Sequence, residues 1–268
     1  KASNLSALAA ELNLGLDSFV FVDDSPLECG LVQQLLPQVT VLQIPGKLHE
    51  LPPLLFRDGL FDTLSVTEED ARRTRLYQDQ RQREQLRCAV ASIEDYLKSL
   101  QTVARIHRAS PGEVPRIAQL TQKTNQFNLT TRRYSEQDVR SFISDDDVAV
   151  FSLTARDRFD SLGLVGVLII VIDGTVAMVD TFLLSCRALG RRLEVAMIEH
   201  CLAELRDLRR IETFRAEYLP TARNAQVADF WPSVGFAAME TADGRTLYSR
   251  PADLAVQRRA TFIALETT

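Results

Sequence analysis

Three apolar strands in close succession constrain the fold of this chain more than any other feature of its sequence. They comprise residues 148–155, 164–172 and 176–184. Asp173-Gly174 separates the last two strands and is typical of a hairpin turn. The longest apolar run, Leu162 to Ile172, is much shorter than the ~20 residues that cross a bilayer. We therefore expect a buried sheet and no membrane partner.

Helical and extended patterns alternate around these three strands. Helices are predicted over residues 92–100, 110–123 and 190–208, with shorter ones beginning at Ser135 and at Asn224. Strands are predicted over residues 102–107 and 211–218. The segment 124–134 is predicted as a polar turn, and no element is predicted after Phe236. Residues 92–268 are therefore expected to form one α+β domain.

The first 62 residues follow a different order, in which single helices and strands alternate. Strands are predicted over 18–22 and 39–44, and Ser25-Pro-Leu-Glu28 between them is a capping box that begins a helix. This alternation is typical of a parallel sheet with crossover helices. Asp23 and Asp24 end the first strand, where two carboxylates suit a hard cation such as Mg²⁺. The alternative is that Asp24 caps the next helix.

Length and composition support this division. At ~150 residues per domain, 268 residues correspond to about two domains, and the charged segment 63–91 is expected to be a helical linker. Hydrophobic residues make up 46% and charged residues 25%, which excludes a disordered or disulfide-scaffold chain. Lys and Arg number 31 against 36 Asp and Glu, so the net charge of -5 gives no reason to expect nucleic acid as a partner.

The four cysteines and three histidines show no zinc-ligand spacing. Thiols without such spacing are typical of a reducing compartment, so we expect a cytoplasmic protein. Cys88 and Cys201 are expected to pack within helices. His107 ends a strand, where a surface imidazole is favoured over a general base.

The stretch from Thr181 to Glu194 passes from a strand through a turn rich in arginine into a helix. Backbone N–H groups at a helix N-terminus bind phosphate, and arginine adds charge-assisted hydrogen bonds. Arg187, Gly190 and Arg191 are therefore candidate ligand-binding residues. The alternative is a solvated cationic helix start. The pattern resembles the pyrophosphate loop of GNAT-type acyltransferases, where coenzyme A or pantetheine binds.

The polar segment between Lys123 and Tyr134 is a second candidate binding site. Its asparagines and threonines offer short hydrogen-bonding groups, and its arginines can hold a phosphate bidentately. The candidates are Asn125, Asn128, Thr130, Thr131, Arg132 and Arg133. The alternative is a helix-connecting loop with side-chain caps.

A series of segments, taken in order, resembles the FkbH-like family of polyketide biosynthesis. They are residues 21–26, 64–70, 124–133, 157–159 with 163–166, and 185–191. The resemblance implies an α/β fold class, in which the C-terminal part of a haloacid dehalogenase (HAD)-like Rossmannoid domain is followed by a GNAT-like α+β domain. The HAD-like part covers 1–62, the helical linker 63–91 and the acyltransferase domain 92–268.

This resemblance implies transfer of a glyceryl group from bisphosphoglycerate, a phosphorylated three-carbon acyl donor, to the phosphopantetheine thiol of an acyl carrier protein. The HAD part would remove phosphate, with Lys1, Asp23 and Asp24 as catalytic residues and the two carboxylates as Mg²⁺ ligands. HAD phosphatases carry their nucleophile in an earlier Asp-x-Asp strand, so we expect that strand upstream of Lys1.

A cysteine thiolate can relay an acyl group by splitting the transfer into two easier steps. Cys186 is the favoured relay, because a neighbouring Arg187 and a helix N-terminus lower the pKa of a thiol. Cys29, one turn into the helix after Asp24, is the alternative. A structural role for both cysteines is the remaining interpretation.

Two other functions stay open. One is a non-catalytic module that binds an acyl carrier protein, whose acidity calls for a basic patch on its partner. The candidates for that patch are Arg132, Arg133, Arg187, Arg191 and Arg192. The other is a coenzyme A-dependent N-acetyltransferase, which is less favoured because Asp23 and Asp24 would have no task in it.

Overall fold

A computed structural model describes most of the chain and divides it into two compact units, Lys1–Glu84 and Gln85–Thr268. The described residues are 1–12, 14–56, 59–62, 82–83, 86–87, 90–242, 244–254 and 262–266. Most of the expected linker, with the segment 64–70 of the family resemblance and with Cys88, lies outside the described residues.

The first unit alternates helices with two parallel strands, as its sequence predicts. Its main elements are α1 (Ala2–Leu12), β1 (Val20–Asp23), α2 (Pro26–Leu35), β2 (Thr40–Gln43) and α3 (Leu51–Phe56). Strand β1 pairs with β2 in parallel, from Val20 opposite Thr40 to Asp23 opposite Gln43. The Ser25 side chain accepts a hydrogen bond from the Glu28 N–H, and Pro26 opens the helix, so the N-cap half of the predicted capping box is confirmed. The other half is replaced, because the Ser25 N–H donates to Asp23 Oδ1 at 2.9 Å.

The second unit is built on one sheet of nine described strands. They are β3 (Val103–Arg108), β4 (Phe127–Asn128), β5 (Val148–Arg156), β6 (Ser161–Asp173), β7 (Val176–Leu184), β8 (Thr213–Tyr218), β9 (Ala237–Ala242), β10 (Arg245–Pro251) and β11 (Ala264–Leu265). Their order is β11-β3-β5-β6-β7-β8-β10-β9, and β4 pairs with β7. Strands β5, β6 and β7 run antiparallel, whereas β7 and β8 run parallel.

Helices cover both faces of this sheet. They are α4 (Ile93–Ser99), α5 (Val114–Lys123), α6 (Glu136–Ser144), α7 (Leu193–Arg209) and α8 (Phe230–Ser233). On one face α5 and α6 bury Ile117 and Val139 against Ile169 of the sheet. On the other face α7 and α8 pack Met197 and Trp231 into a larger core. The unit is therefore a mixed α/β structure with a core on each side of the sheet.

Element boundaries agree with the sequence where apolar runs are bounded by clear turns. Strand β7 matches its predicted range, and Gly174 in the predicted hairpin has a φ of +57°. Strands β4, β9, β10 and β11 were not predicted. Every residue of β9 is exposed, so the period-2 alternation that indicates a half-buried strand is absent there. Among the described residues, none of the helices is both long enough and apolar enough to cross a membrane.

Gly166 of strand β6 lies between Leu153 of β5 and Met197 of α7, and this close packing yields a stability prediction. A Cβ at this buried position would lie 3.0 Å from Leu153 Cβ and 3.1 Å from Met197 Sδ. We expect Gly166→Ala to lower the free energy of unfolding by about 1–3 kcal/mol, because packed neighbours must move. Urea denaturation measures this, with Gly112→Ala as control, since a Cβ at Gly112 meets nothing within 4 Å. An equal effect of both substitutions would refute the packing argument.

Candidate functional site

A β-bulge lies in the middle of β7, at the point where its neighbour β8 departs. Ile169 of β6 faces Thr181 and Ile170 faces Val179, which leaves Asp180 as the extra residue. Pairing of β7 with β8 ends at the same level, with Val179 opposite Ala216. Bulges redirect side chains and are common beside active sites. Asp180 is therefore a candidate site residue, and its sequence signal is a single carboxylate within an apolar strand.

The gap that β8 leaves beside β7 is filled by the segment 127–130. Phe127 and Asn128 pair with β7, and the Leu129 N–H donates to the Phe182 carbonyl at 3.2 Å. On the other side the Leu219 N–H donates to the Leu129 carbonyl at 2.9 Å. All four residues of the segment are buried. The prediction of a polar turn over 124–134 is therefore wrong for this part.

Two buried asparagines hold the segment in place. The Asn128 side chain accepts from the Thr131 N–H at 2.8 Å and donates to the Thr124 carbonyl at 3.2 Å. The Asn224 side chain donates to the carbonyls of Asn128 and Leu219, both at 2.9 Å. The Asn128 side chain thus binds backbone groups close to it in the chain, as expected for the alternative of a helix-connecting loop with side-chain caps. Satisfying these groups is what permits an irregular backbone to be buried.

A charged cluster covers the bulge. Arg132 donates to Asp180 Oδ1 at 2.6 Å and to Glu217 Oε2 at 2.7 Å, so one guanidinium bridges two strands. The Tyr134 hydroxyl donates to Asp180 Oδ2 at 2.6 Å, and the Thr130 hydroxyl donates to the Asp180 carbonyl at 2.9 Å. Burial, and then the bond to Asp180, raises the pKa of Tyr134 well above its usual value. The cluster therefore presents a neutral phenol beside a paired carboxylate at physiological pH.

Arg133 and Asn125 bind each other at the end of α5 rather than facing the cluster. Arg133 donates to the Asn125 side chain and to the Thr124 carbonyl. Burial, and then the nearby Arg223, lowers the pKa of Arg133. Both predicted site residues are thus placed beside the segment 127–130 and have partners within the unit.

The predicted phosphate turn is a compact strand-to-helix connection. Strand β7 ends at Leu184, a short 3-10 helix covers Cys186–Ala188, and α7 begins at Leu193. Gly190 and Arg192 both have a positive φ, of +73° and +60°, which turns the chain sharply into the helix. The side chain of Cys186 is half-buried on this turn. Cys186, Arg187 and Gly190 thus lie on one turn.

Arg191 differs from its neighbours, because it is buried in an ion pair. Its Nη1 lies 2.8 Å from Asp157 Oδ2, and the two side chains are 4% and 0% exposed. Its Nε donates to the Arg187 carbonyl at 3.1 Å. The geometry thus corrects the expectation of a phosphate ligand at Arg191, since its guanidinium is committed to Asp157. The pair links the turn to a loop 34 residues away in sequence.

Glu194, in the first turn of α7, did not emerge from the sequence as a candidate. Its Oε2 is buried and makes no hydrogen bond to the described residues. Burial raises the pKa of this carboxyl group. The sequence does not distinguish this buried glutamate from the exposed acidic residues that commonly occupy the first turn of a helix.

The acidic pair of the first unit is tied to the chain rather than open. Lys1 Nζ lies 2.5 Å from Asp23 Oδ2, and the Ser25 N–H donates to Asp23 Oδ1 at 2.9 Å. The bond from Lys1, followed by that from Ser25, lowers the pKa of Asp23. Asp24 is exposed. Lys1 and Asp23 are therefore in direct contact.

These residues fit a magnesium ion poorly as they stand. Both carboxylate oxygens of Asp23 already accept protein donors. No group of three or more His, Cys, Asp or Glu side chains that could hold a metal occurs in the part of the chain that the structure describes. Cys29 is buried and directs its thiol at the Asp23 carbonyl, at 3.6 Å. Burial raises the pKa of Cys29, which disfavours the thiolate that a relay needs.

Comparison with known proteins gives structural neighbours only. No protein-family model matches the chain, and no curated protein matches it in sequence. The ribosomal-protein-S18-alanine N-acetyltransferase of Escherichia coli is similar over 58% of this chain and 97% of its own, with 19% identity and a TM-score of 0.45. An acetyltransferase from Thermus thermophilus covers 56% and 97%, with 18% identity and a TM-score of 0.43. A domain from Methanocaldococcus jannaschii covers 56% and 99%, with 11% identity and a TM-score of 0.45. Values this low establish no family.

The buried ion pair predicts a large loss of stability when one partner is removed. Arg191→Met removes the positive charge of Arg191 from the buried Asp157 carboxylate, and we expect the free energy of unfolding to fall by about 3–5 kcal/mol. The control is Arg156→Met, which removes an exposed pair with Glu266 and is expected to cost at most ~1 kcal/mol. Urea denaturation of both variants measures the difference. Similar losses would show that burial of the Arg191 pair contributes nothing.

The hydrogen bond between Tyr134 and Asp180 predicts a pH-dependent stability. The pKa of Tyr134 is higher in the folded state than its unfolded value near 10. The phenol therefore contributes fully to the free energy of unfolding below pH ~10, and this contribution is lost as the pH rises further. Tyr134→Phe is expected to cost roughly 1.5 kcal/mol at pH 7. The difference between wild type and variant should shrink as the pH rises above ~10 in chemical denaturation. A difference that stays constant there would contradict the assignment.

Proposed function

We propose that the second unit transfers an acyl group to or from a phosphopantetheine thiol, with the phosphate held on the turn 185–192. The observation that carries this proposal is the passage of β7 into a left-handed turn at the N-terminus of the 17-residue helix α7. The backbone N–H groups of a first helical turn and the helix dipole favour an anion there. Arg187 and the exposed Arg192 add positive charge beside these groups.

The reacting end of such a ligand belongs at the cluster around Asp180. Asp180 and Cys186 are six positions apart, and strand β7 covers the first four of these steps, so the distance between them is at most roughly 20 Å at ~3.3 Å per residue. A ligand with its phosphate on the turn and its chain following β7 therefore points its far end at this cluster. The neutral phenol of Tyr134 keeps its proton on the hydrogen bond to Asp180, so its oxygen can only accept a hydrogen bond from a ligand there.

The edge of β7 in this region is already paired with the segment 127–130. A ligand therefore lies over this segment rather than replacing its hydrogen bonds to Leu183 and Leu184. This arrangement puts Thr131 and Arg132 at the end of the path, so the two motifs that the sequence singled out contribute to one site.

The resemblance supports a more specific form of the proposal, in which glyceryl is loaded onto an acyl carrier protein. In that reaction the thiol attacks the carbonyl carbon of the acyl phosphate of bisphosphoglycerate. A C–S bond forms, the C–O bond to phosphate breaks, and the thiol proton passes to the leaving phosphate or to water. Lys1, Asp23 and Asp24 are proposed to act in dephosphorylation. Mg²⁺ has no part in the proposed reaction, because both carboxylate oxygens of Asp23 already accept hydrogen bonds from Lys1 and Ser25.

A relay through Cys186 and a phosphate on the turn make competing demands. Cys186 is the second residue of the turn, so a single extended ligand cannot place both its phosphate and its thiol there. In the relay form of the proposal the ligand approaches Cys186 with its thiol, and the phosphate lies elsewhere. Cys186→Ser separates the two forms, because it abolishes transfer only if the relay operates.

The experiment that tests the function combines the chain with a holo acyl carrier protein and bisphosphoglycerate. Intact-mass analysis should show a glyceryl thioester on the carrier protein. No mass gain, with acetylation of a peptide amine by acetyl-coenzyme A instead, would support the N-acetyltransferase alternative, which is the activity named for the E. coli neighbour. Salt-sensitive carrier binding without transfer from either donor would support the non-catalytic module.

Two glycines of positive φ provide a matched test of the phosphate turn. Gly190→Ala and Gly174→Ala both introduce a Cβ that meets nothing within 4 Å, at φ values of +73° and +57°. Each is expected to lower stability by about 1 kcal/mol, because an L-residue is strained there. Only Gly190→Ala should weaken phosphopantetheine binding, by about tenfold, in isothermal titration. Equal affinities of the two variants for phosphopantetheine would show that the phosphate does not bind at this turn.

A further inference from the structure

Thr131 is the most strained residue of the candidate site. Its φ is +54°, in the left-handed region that favours glycine. Three other described residues besides glycines share a positive φ, namely Gln101, Arg192 and Arg210, and none of them is β-branched. A β-branched residue in this region is an outlier, because its side chain crowds the backbone.

The strain of Thr131 is imposed from both sides. Its N–H is held by the buried Asn128 side chain at 2.8 Å. The residue before it, Thr130, is buried and bonded to the Asp180 carbonyl, and the residue after it, Arg132, is bonded to Asp180 and Glu217. Backbone strain persists where the surroundings fix it in this way, and it concentrates at ligand sites.

The fold alone gives no reason for a threonine here. Glycine would adopt the same φ without crowding and would keep the hydrogen bond from the backbone N–H to Asn128. The side chain must therefore serve another purpose than holding the backbone. Arg210 shows the contrasting case, since its positive φ of +53° ends helix α7, as is common at helix C-termini.

The hydroxyl of Thr131 differs from the side chains around it. Each of the other side chains in residues 130–134 makes a hydrogen bond inside the unit. The half-buried Thr131 hydroxyl makes none to the described residues. It lies at the reacting end of the path along β7, beside the cluster formed by Arg132, Tyr134 and Asp180.

We propose that Thr131 is a specificity-determining residue whose hydroxyl donates a hydrogen bond to the carbonyl oxygen of the acyl group on the pantetheine thiol. This assignment rests on the proposed function, since it takes the ligand from it. The strained backbone fixes the direction of the Cα–Cβ bond that carries the hydroxyl, and a hydroxyl held near the acyl carbonyl favours a thioester over the free thiol. Preorganisation of this kind lowers the stability of the fold, but less conformational entropy is then lost when the ligand binds.

The test compares two small probes, acetyl-phosphopantetheine and phosphopantetheine, by isothermal titration with the whole chain. Thr131→Val keeps the branched shape and removes the hydroxyl. We expect it to bind the thioester about tenfold more weakly and to bind the thiol as wild type does. Thr131→Ser keeps the hydroxyl and is expected to retain the preference for the thioester.

Stability supplies a readout that does not depend on any ligand. Thr131→Gly and the control Arg210→Gly should both raise the urea midpoint, because both relieve a left-handed residue. Only Thr131→Gly should also lose thioester binding. Unchanged thioester affinity of Thr131→Val would overturn the inference alone. Wild-type protein that binds neither probe would overturn the proposed function itself, and the inference with it.

Discussion

The end of parallel pairing between β7 and β8 determines the arrangement of everything around the candidate site. Beyond Val179 and Ala216 the two strands would expose unpaired backbone groups in the middle of a buried sheet, which is costly. The segment 127–130 supplies the missing partners, and Asn128 and Asn224 supply those of the segment itself. The bulge at Asp180, the bridge formed by Arg132 and the strain at Thr131 all follow from fitting this extra chain into the gap.

The sequence predicted the regular elements well and the site partly. Strand 176–184 was recognisable because an apolar run ends at clear turn signals. Segment 124–134 looked like a surface turn because asparagine, threonine and arginine are usually solvated. Its polar side chains instead satisfy a buried backbone. Asp157 and Arg191 were both noted, but a contact across 34 residues depends on tertiary packing that no local pattern contains.

The two units differ in how much of their chemistry the described residues carry. In the second unit the turn at Cys186 and the cluster at Asp180 lie along one strand, so one extended ligand can contact both. In the first unit Lys1 neutralises Asp23, and the pair is complete without a further group.

The contact between Asn224 and Asn128 joins positions 96 residues apart and spans a segment that lies between two strands. Such a contact closes a long loop, which costs conformational entropy. We expect the contact to become favourable only when both flanking strands, β7 and β8, are already in place. The hairpin of β6 and β7 can form early from local contacts, whereas the segment can enter only after β8 has docked. We therefore expect the segment 127–130 to be the last part of this sheet to assemble during folding.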